Sequence, residues 1–293
     1  AEIWSNNPWA DEQPGNEQRI SVKRPALPEV EAWLKDLETR YPEFAKVFTL
    51  GTSQENRPIW ALRISNAAAL FPASPGETPE EVDWFPAYLF TGATHGNEWL
   101  TTSFTLYFGK YLLEQMRTSP QVALMMTVRT LWLVPVVNPD GYFRNQRQTA
   151  SGVDPNRDYP IPGQPDKLSD PCIMVLRGFA EKNPLKASLD YHTQGGMYFY
   201  PWSYSEDEPP AADKPFFVYV TDNMARFMSY KSGQISKLLW TTAKGCSADW
   251  YYWKFHSCSI GSELYQGYPY YLSPENLYPE LEKNFTPAMF YLS

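Results

Sequence analysis

The chain is short of histidine, cysteine and positive charge, and it has no long apolar run. His95, His192 and His256 are its only imidazoles, so any metal or acid–base site built on histidine must draw on these three. Cysteine is limited to Cys172, Cys246 and Cys258, with no CxxC or zinc-finger spacing, and an odd count leaves at least one thiol free. Cys246 and Cys258 flank an aromatic segment, which leaves a disulfide between them open. With 25 basic against 33 acidic residues the net charge is −8, which excludes the basic surface a nucleic-acid partner requires. The most apolar stretch, 124–137, is broken by Arg129 and Pro135, and no run reaches the length of a membrane-spanning helix. The remaining composition is that of a well-packed protein. At 293 residues, 43% hydrophobic and with 11 tryptophans, the chain can bury a large core, and disorder over most of its length is excluded.

Residues 1–27, with Pro8, Pro14, Gly15 and Pro25, read as an irregular arm, and 28–293 as one domain. Pro28 suits the first turn of a helix, and Val30, Trp33, Leu34 and Leu37 form one apolar stripe continuing to about Tyr41. Strands are expected at 46–50, 58–65, 87–91, 128–137, 187–191, 197–200 and 257–264. Helices are expected at 100–116, 172–182 and 216–230, and in a tail from Pro274 interrupted by Pro279 and Pro287. Residues 138–168 read as loop. Strands alternating with helices predict an α/β fold with a mixed or largely parallel sheet, whose sites gather beyond the carboxyl ends of the strands.

Three segments end a strand with reactive side chains. In Thr91-Gly92-Ala93-Thr94-His95-Gly96-Asn97-Glu98, an imidazole and a carboxylate stand three residues apart in a glycine-containing turn. Both groups bind zinc at about 2 Å, and a catalytic zinc takes three protein ligands and keeps one position open. His192 leaves a strand in the same way, in Asp190-Tyr191-His192-Thr193-Gln194-Gly195-Gly196, and completes a His95–Glu98–His192 set. Glu263 follows an apolar strand near the end of the chain, where a carboxylate beside an activated water serves as general base and acid. Asn156 and Arg157 offer an amide and a two-pronged guanidinium, donors suited to an anionic substrate end. His256, with Trp253 and Phe255 nearby, reads as a structural or surface histidine.

In this order, together with Tyr41-Pro42, the stretch from Gly51 to Ile59, and Asn138-Pro139-Asp140-Gly141-Tyr142, these segments resemble the zinc metallocarboxypeptidase family of carboxypeptidases A, B, N and E. The resemblance runs from about Pro28 to the C-terminus. It implies a mixed, largely parallel eight-stranded sheet flanked by helices, and one zinc ion bound by His95, Glu98 and His192. It also implies Glu263 as general base and acid, Arg147 polarising the scissile carbonyl, and Asn156 and Arg157 holding the substrate carboxylate. Asp154 would orient a zinc-bound histidine. The implied substrates are peptide or protein C-termini, taken up by a monomer.

Two positions depart from the family pattern. Thr241, after Trp240, stands where the family has a substrate-capping tyrosine; Tyr251, Tyr265, Tyr268, Tyr270 or Tyr271 are candidates to replace it. Ala248 stands at the floor of the side-chain pocket, which implies a small or apolar C-terminal residue. Gly92-x-Thr94-His95-Gly96-Asn97-Glu98 is also similar to the motif of aspartoacylase-like deacylases, and the fold is used on cell-wall muropeptides as well. A binding-only relative without activity is a further alternative. The start at Ala-Glu-Ile fits a removed signal peptide, so a secreted or periplasmic location is expected.

Overall fold

The computed structural model describes residues 24–69, 86–166, 168–183, 185–267 and 274–293. Most of the expected N-terminal arm and the tyrosines at 268, 270 and 271 lie outside the described residues.

Helix α1 (Leu27–Arg40) begins with Pro28 in its first turn and buries Val30, Leu34 and Leu37, as the apolar stripe predicts. Strands β1 (Ala45–Thr52) and β2 (Pro58–Ser65) form an antiparallel pair, with a bulge between Thr49 and Gly51. Strand β3 (Ala87–Thr91) leads to helix α2 (Trp99–Thr118), the short helix α3 (Pro120–Met125) and strand β4 (Thr130–Val134). β4 is shorter than the apolar run expected, because Val128 closes a 3-10 turn and Pro135 has no N–H for the ladder.

The loop expected at 138–168 holds helix α4 (Pro139–Arg144) and a 3-10 turn, Pro155–Arg157. Both start on side-chain caps, Asn138 Oδ1 accepting from Gly141 N and Asp154 accepting from Asn156 N. Caps like these stabilise turns too short to show a helical period. Helix α5 (Pro171–Lys182), strands β5 (Leu185–Thr193) and β6 (Met197–Phe199) and helix α6 (Lys214–Met228) follow. Strand β7 (Lys231–Gly233) and helices α7 (Ile235–Leu238) and α8 (Ser247–Phe255) were not expected from sequence. Strand β8 (Cys258–Leu264) and helices α9 (Pro274–Lys283) and α10 (Phe285–Leu292) complete the described chain.

The eight strands form one sheet in the order β1-β2-β4-β3-β5-β8-β6-β7. The pairs β3–β4, β3–β5, β5–β8 and β6–β7 are parallel, and the other three antiparallel. Successive side chains on the central strands go to opposite faces: Leu131 and Leu133 join one apolar cluster, Trp132 and Val134 the other. The first cluster packs the sheet against α1, α2, α6 and α10 through residues such as Leu34, Phe104, Phe217 and Met289. The second packs it against α5 and α8 through Ile173, Leu176, Trp250 and Tyr251. Among the described residues no helix is long and apolar enough to cross a membrane.

All three cysteines are free thiols, so the Cys246–Cys258 disulfide does not form. The two stand at opposite ends of α8, which at about 1.5 Å per residue puts them farther apart than the roughly 7 Å limit on Cα separation for a disulfide.

Candidate active site

Because β3, β5 and β8 are neighbours and parallel, their carboxyl ends open on one side of the sheet. His95 and Glu98 lie in the turn between β3 and α2. Thr101 pins that turn: its Oγ1 accepts from Ala93 N and donates to Glu98 O, both at 2.7 Å. Gly96 is required there, since a side chain would collide with the backbone of Gly141 and Tyr142. His192 comes from β5, and Glu263 is its direct partner across the β5–β8 ladder.

Both histidines turn Nδ1 toward Glu98. His95 Nδ1 lies 2.8 Å from Glu98 Oε1, His192 Nδ1 2.9 Å from Oε2, and the two Nδ1 atoms are 3.1 Å apart. Tetrahedral zinc at about 2 Å from each donor needs donor separations of about 3.3 Å, so a slight spreading of this triangle accommodates the ion. All three residues are buried, and this is the one such cluster among the described residues. Two imidazoles and one carboxylate are the protein donor set of a catalytic zinc, which takes three such ligands. Burial opposes charge on Glu98, but His95 and His192 outweigh it and hold the carboxyl down at about 2. Burial likewise works against a charged His192, and the carboxylates of Asp190 and Glu98 overcome it, pushing its pKa well above the ordinary value.

The outer nitrogens are held as well. His95 Nε2 lies 3.0 Å from Asp154 Oδ1, and Arg147 Nε donates to Asp154 Oδ2 at 2.9 Å. The guanidinium Nη1 of Arg147 reaches to 3.1 Å from His95 Nδ1, so the cation sits at the edge of the ligand triangle. His192 Nε2 lies 3.1 Å from Asp190 Oδ2 and 3.0 Å from Asn156 Nδ2. Asp190 also accepts from Thr91 Oγ1, Thr94 Oγ1 and Ser247 Oγ. Burial works against its charge, but His192, Ser247 and Thr91 prevail and hold it down at about 2. Glu263 is pushed the other way, up to about 8. Burial is the main cause, with Glu98 and Asp190 adding to the rise and His192 and Arg147 opposing it. Asn156 is buried at 5% exposure, while the neighbouring Arg157 is open to solvent.

The family model for zinc carboxypeptidases matches residues 30–287. The chain belongs to the zinc carboxypeptidase family. Carboxypeptidase SOL1 of Arabidopsis thaliana is 23% identical over 225 residues, which cover 75% of this chain and 43% of that protein. Metallocarboxypeptidase A of Trichophyton tonsurans is 27% identical over 215 residues, covering 62% of this chain and 48% of that protein. Carboxypeptidase D of Mus musculus is 26% identical over 196 residues, 64% of this chain but 13% of the relative. The chain thus spans less than half the length of these relatives. Among solved structures, the thrombin activatable fibrinolysis inhibitor superposes with a TM-score of 0.77 at 20% identity, covering 92% of this chain and 74% of that one. Carboxypeptidase A from Helicoverpa armigera gives 0.75 at 20% identity, covering 96% and 76%. The fold expected from sequence is the one these structures share.

His95, Glu98, His192, Arg147, Asp154, Asn156 and Glu263 stand in or beside this cluster. Ala248 is buried in α8, one residue after Ser247, whose N–H donates to Asn156 Oδ1 at 2.9 Å. Thr241 and the 89%-exposed Trp240 lie in the loop between α7 and α8. Tyr251 is no substitute for a capping tyrosine: it is buried, with its hydroxyl 3.4 Å from that of Tyr159. Tyr265 is half-buried just past β8. His256 is exposed and ends α8 in a left-handed conformation, which matches its reading as a structural or surface residue. Asp190 and Ser247 were missed. Asp190 lies inside a strand two residues before a ligand, and that spacing was the one available signal.

Proposed function

We propose that this protein is a zinc-dependent carboxypeptidase that releases the C-terminal residue of a peptide. The observation that carries the reading is the buried His95–Glu98–His192 triangle with Glu263 beside it and the Asn156–Arg157 pair at its margin. Bound zinc supplies Lewis acidity, lowering the pKa of a water and polarising the scissile carbonyl. Glu263 takes the proton of the attacking water at its carboxylate and returns it to the leaving amine. Arg147 offers its guanidinium to the carbonyl oxygen as negative charge develops there. Arg157 and the Asn156 amide grip the free carboxylate, which restricts cleavage to chain ends. Ala248, buried in α8 one residue after Ser247, favours a small or apolar terminal side chain.

The test is a set of short peptides differing in the last residue, each as free acid and as C-terminal amide, assayed with and without a zinc chelator. Hydrolysis of the free acids alone, abolished by the chelator, is expected. Cleavage of the amides or chelator-insensitive turnover would overturn the reading. Glu263→Gln is expected to lose turnover by a factor of 100 or more, at the low end of what general acid–base groups contribute, while retaining bound zinc.

A further inference from the structure

We infer that Cys246 is a positioning residue for the carboxylate grip: its thiol tethers one end of the Arg157 guanidinium and leaves the opposite edge free for the C-terminal carboxylate of the substrate. This rests on the carboxypeptidase reading above. Arg157 is open to solvent, yet its Nη1 is engaged twice, donating to Asn156 O at 2.7 Å and to the larger sulfur of Cys246 at 3.6 Å. Among the described residues its Nε and Nη2 donate to nothing, and no carboxylate pairs with it.

That division matters because of the shape of a guanidinium. Its N–H groups lie in one plane, and those of Nε and Nη2 form a parallel pair that matches the two oxygens of a carboxylate. In Arg147 this edge is already taken: Nε and Nη2 both lie 2.9 Å from Asp154 Oδ2. Arg157 has the reverse arrangement, with Nη1 held and the edge open. Two contacts on Nη1 keep the plane from turning, so less rotamer freedom is lost when a substrate arrives. The second tether has to be an acceptor without charge, since a carboxylate there would pair with the guanidinium and compete with the substrate. The thiol meets that need. Its hydrogen goes to Ala243 O at 3.3 Å, which leaves the sulfur lone pairs for Arg157. Burial, with the Asp249 carboxylate nearby, pushes its pKa up, so the sulfur stays neutral.

The chain on either side of Cys246 is fixed to the same end. Ala243 N donates to Ser203 O at 2.7 Å, and Gly245 O accepts from Tyr159 N at 3.1 Å. Gly245 has a φ of +77°, which favours glycine, and a side chain there would strike the Arg157 carbonyl. Ser247 N donates to Asn156 Oδ1 at 2.9 Å. Residues 243–247 therefore lie directly against the Asn156–Arg157 pair, and Cys246, at 3% exposure, keeps water from the tether.

The test is steady-state kinetics of the zinc-loaded enzyme on a blocked tripeptide ending in leucine, with substitutions at Cys246. Cys246→Ala removes the tether and is expected to raise KM about threefold or more while kcat stays within about twofold, the mark of an interaction made equally with substrate and transition state. Cys246→Ser, which keeps a neutral acceptor, is expected to recover part of that loss. Cys246→Asp sets a carboxylate against Arg157 and is expected to raise KM by more than about tenfold. Circular dichroism and the zinc dissociation constant, from competition with a chromogenic chelator, establish that each variant is folded with its metal site intact. If the aspartate is not accommodated, the alanine and serine variants decide. A folded Cys246→Ala with the wild-type KM, or with a lowered kcat and an unchanged KM, overturns the tether alone, as does a serine variant no nearer wild type than alanine. Wild type that hydrolyses no free-acid peptide overturns the carboxypeptidase reading with it.

Discussion

Asp154 takes His95 by its outer nitrogen and Arg147 by Nε, so a single carboxylate orients a metal ligand and the guanidinium beside it. Burial opposes its charge, yet His95 and Arg147 hold the carboxyl well below the usual range, so it is ionised whenever the site is in use. Asp154→Ala frees both partners and is expected to lower zinc affinity 10- to 100-fold and to reduce kcat/KM. Chelator competition measures the first; an unchanged dissociation constant would mean the His95 ring is fixed by other contacts. At this scale the sequence was informative where reactive side chains are rare and stand at strand ends, as His95, His192 and Glu263 do. Asp190 and Ser247 were not visible. A serine at a helix start reads as a cap, and an aspartate within an apolar strand acquires meaning only once α8 is seen to approach β5.

Helix α8 shows why some elements escape a reading by period. Its residues 247–252 are all buried, so it has no polar face and no amphipathic stripe. One of them is Asp249, whose oxygens accept the main-chain N–H groups of Ser203 and Tyr204 at 2.9 Å. Burial dominates those bonds and pushes its carboxyl from an ordinary 3.8 up to about 7. The unfolded chain therefore releases this proton first, and between about pH 4 and pH 7 the folded chain holds one proton more. Stability falls as pH rises through that window and levels off above it. From pH 5 to pH 8 the loss from this group is expected to be roughly 2–3 kcal/mol, and Asp249→Asn should remove it. Urea melts at the two pH values decide the matter, and an equal fall in the variant would refute it. Glu98 and Asp190, held near about 2, act in the opposite sense and only below about pH 4, whereas Glu263, pushed up to about 8, acts in the same sense within the window, so the contribution of Asp249 is the difference between the falls in wild type and variant.

At the scale of the molecule, the alternation of strands and helices and the apolar strands foretold the sheet, because both of its faces are covered and β3 and β4 are largely apolar. Sequence did not show β7, three residues long, or the order of the strands, which depends on contacts between distant segments. Phe104 exemplifies those contacts. It lies on α2 with ring centroids 4.5 Å from Tyr191 on β5 and 5.9 Å from Phe285 on α10. Phe104→Ala leaves a cavity where three elements meet and is expected to cost about 3–5 kcal/mol, read as a lower urea midpoint. A change under 1 kcal/mol would show that the site collapses to fill the space.

The position of β8 has a consequence for the protein's own manufacture. It is the last strand of the described chain, yet it slots between β5 and β6, both made earlier, and it carries Glu263. While synthesis is under way, the growing polypeptide already contains His95, Glu98 and His192 but lacks Glu263. The constellation proposed above is therefore complete only once the last described strand has entered the middle of a sheet whose other strands were made before it.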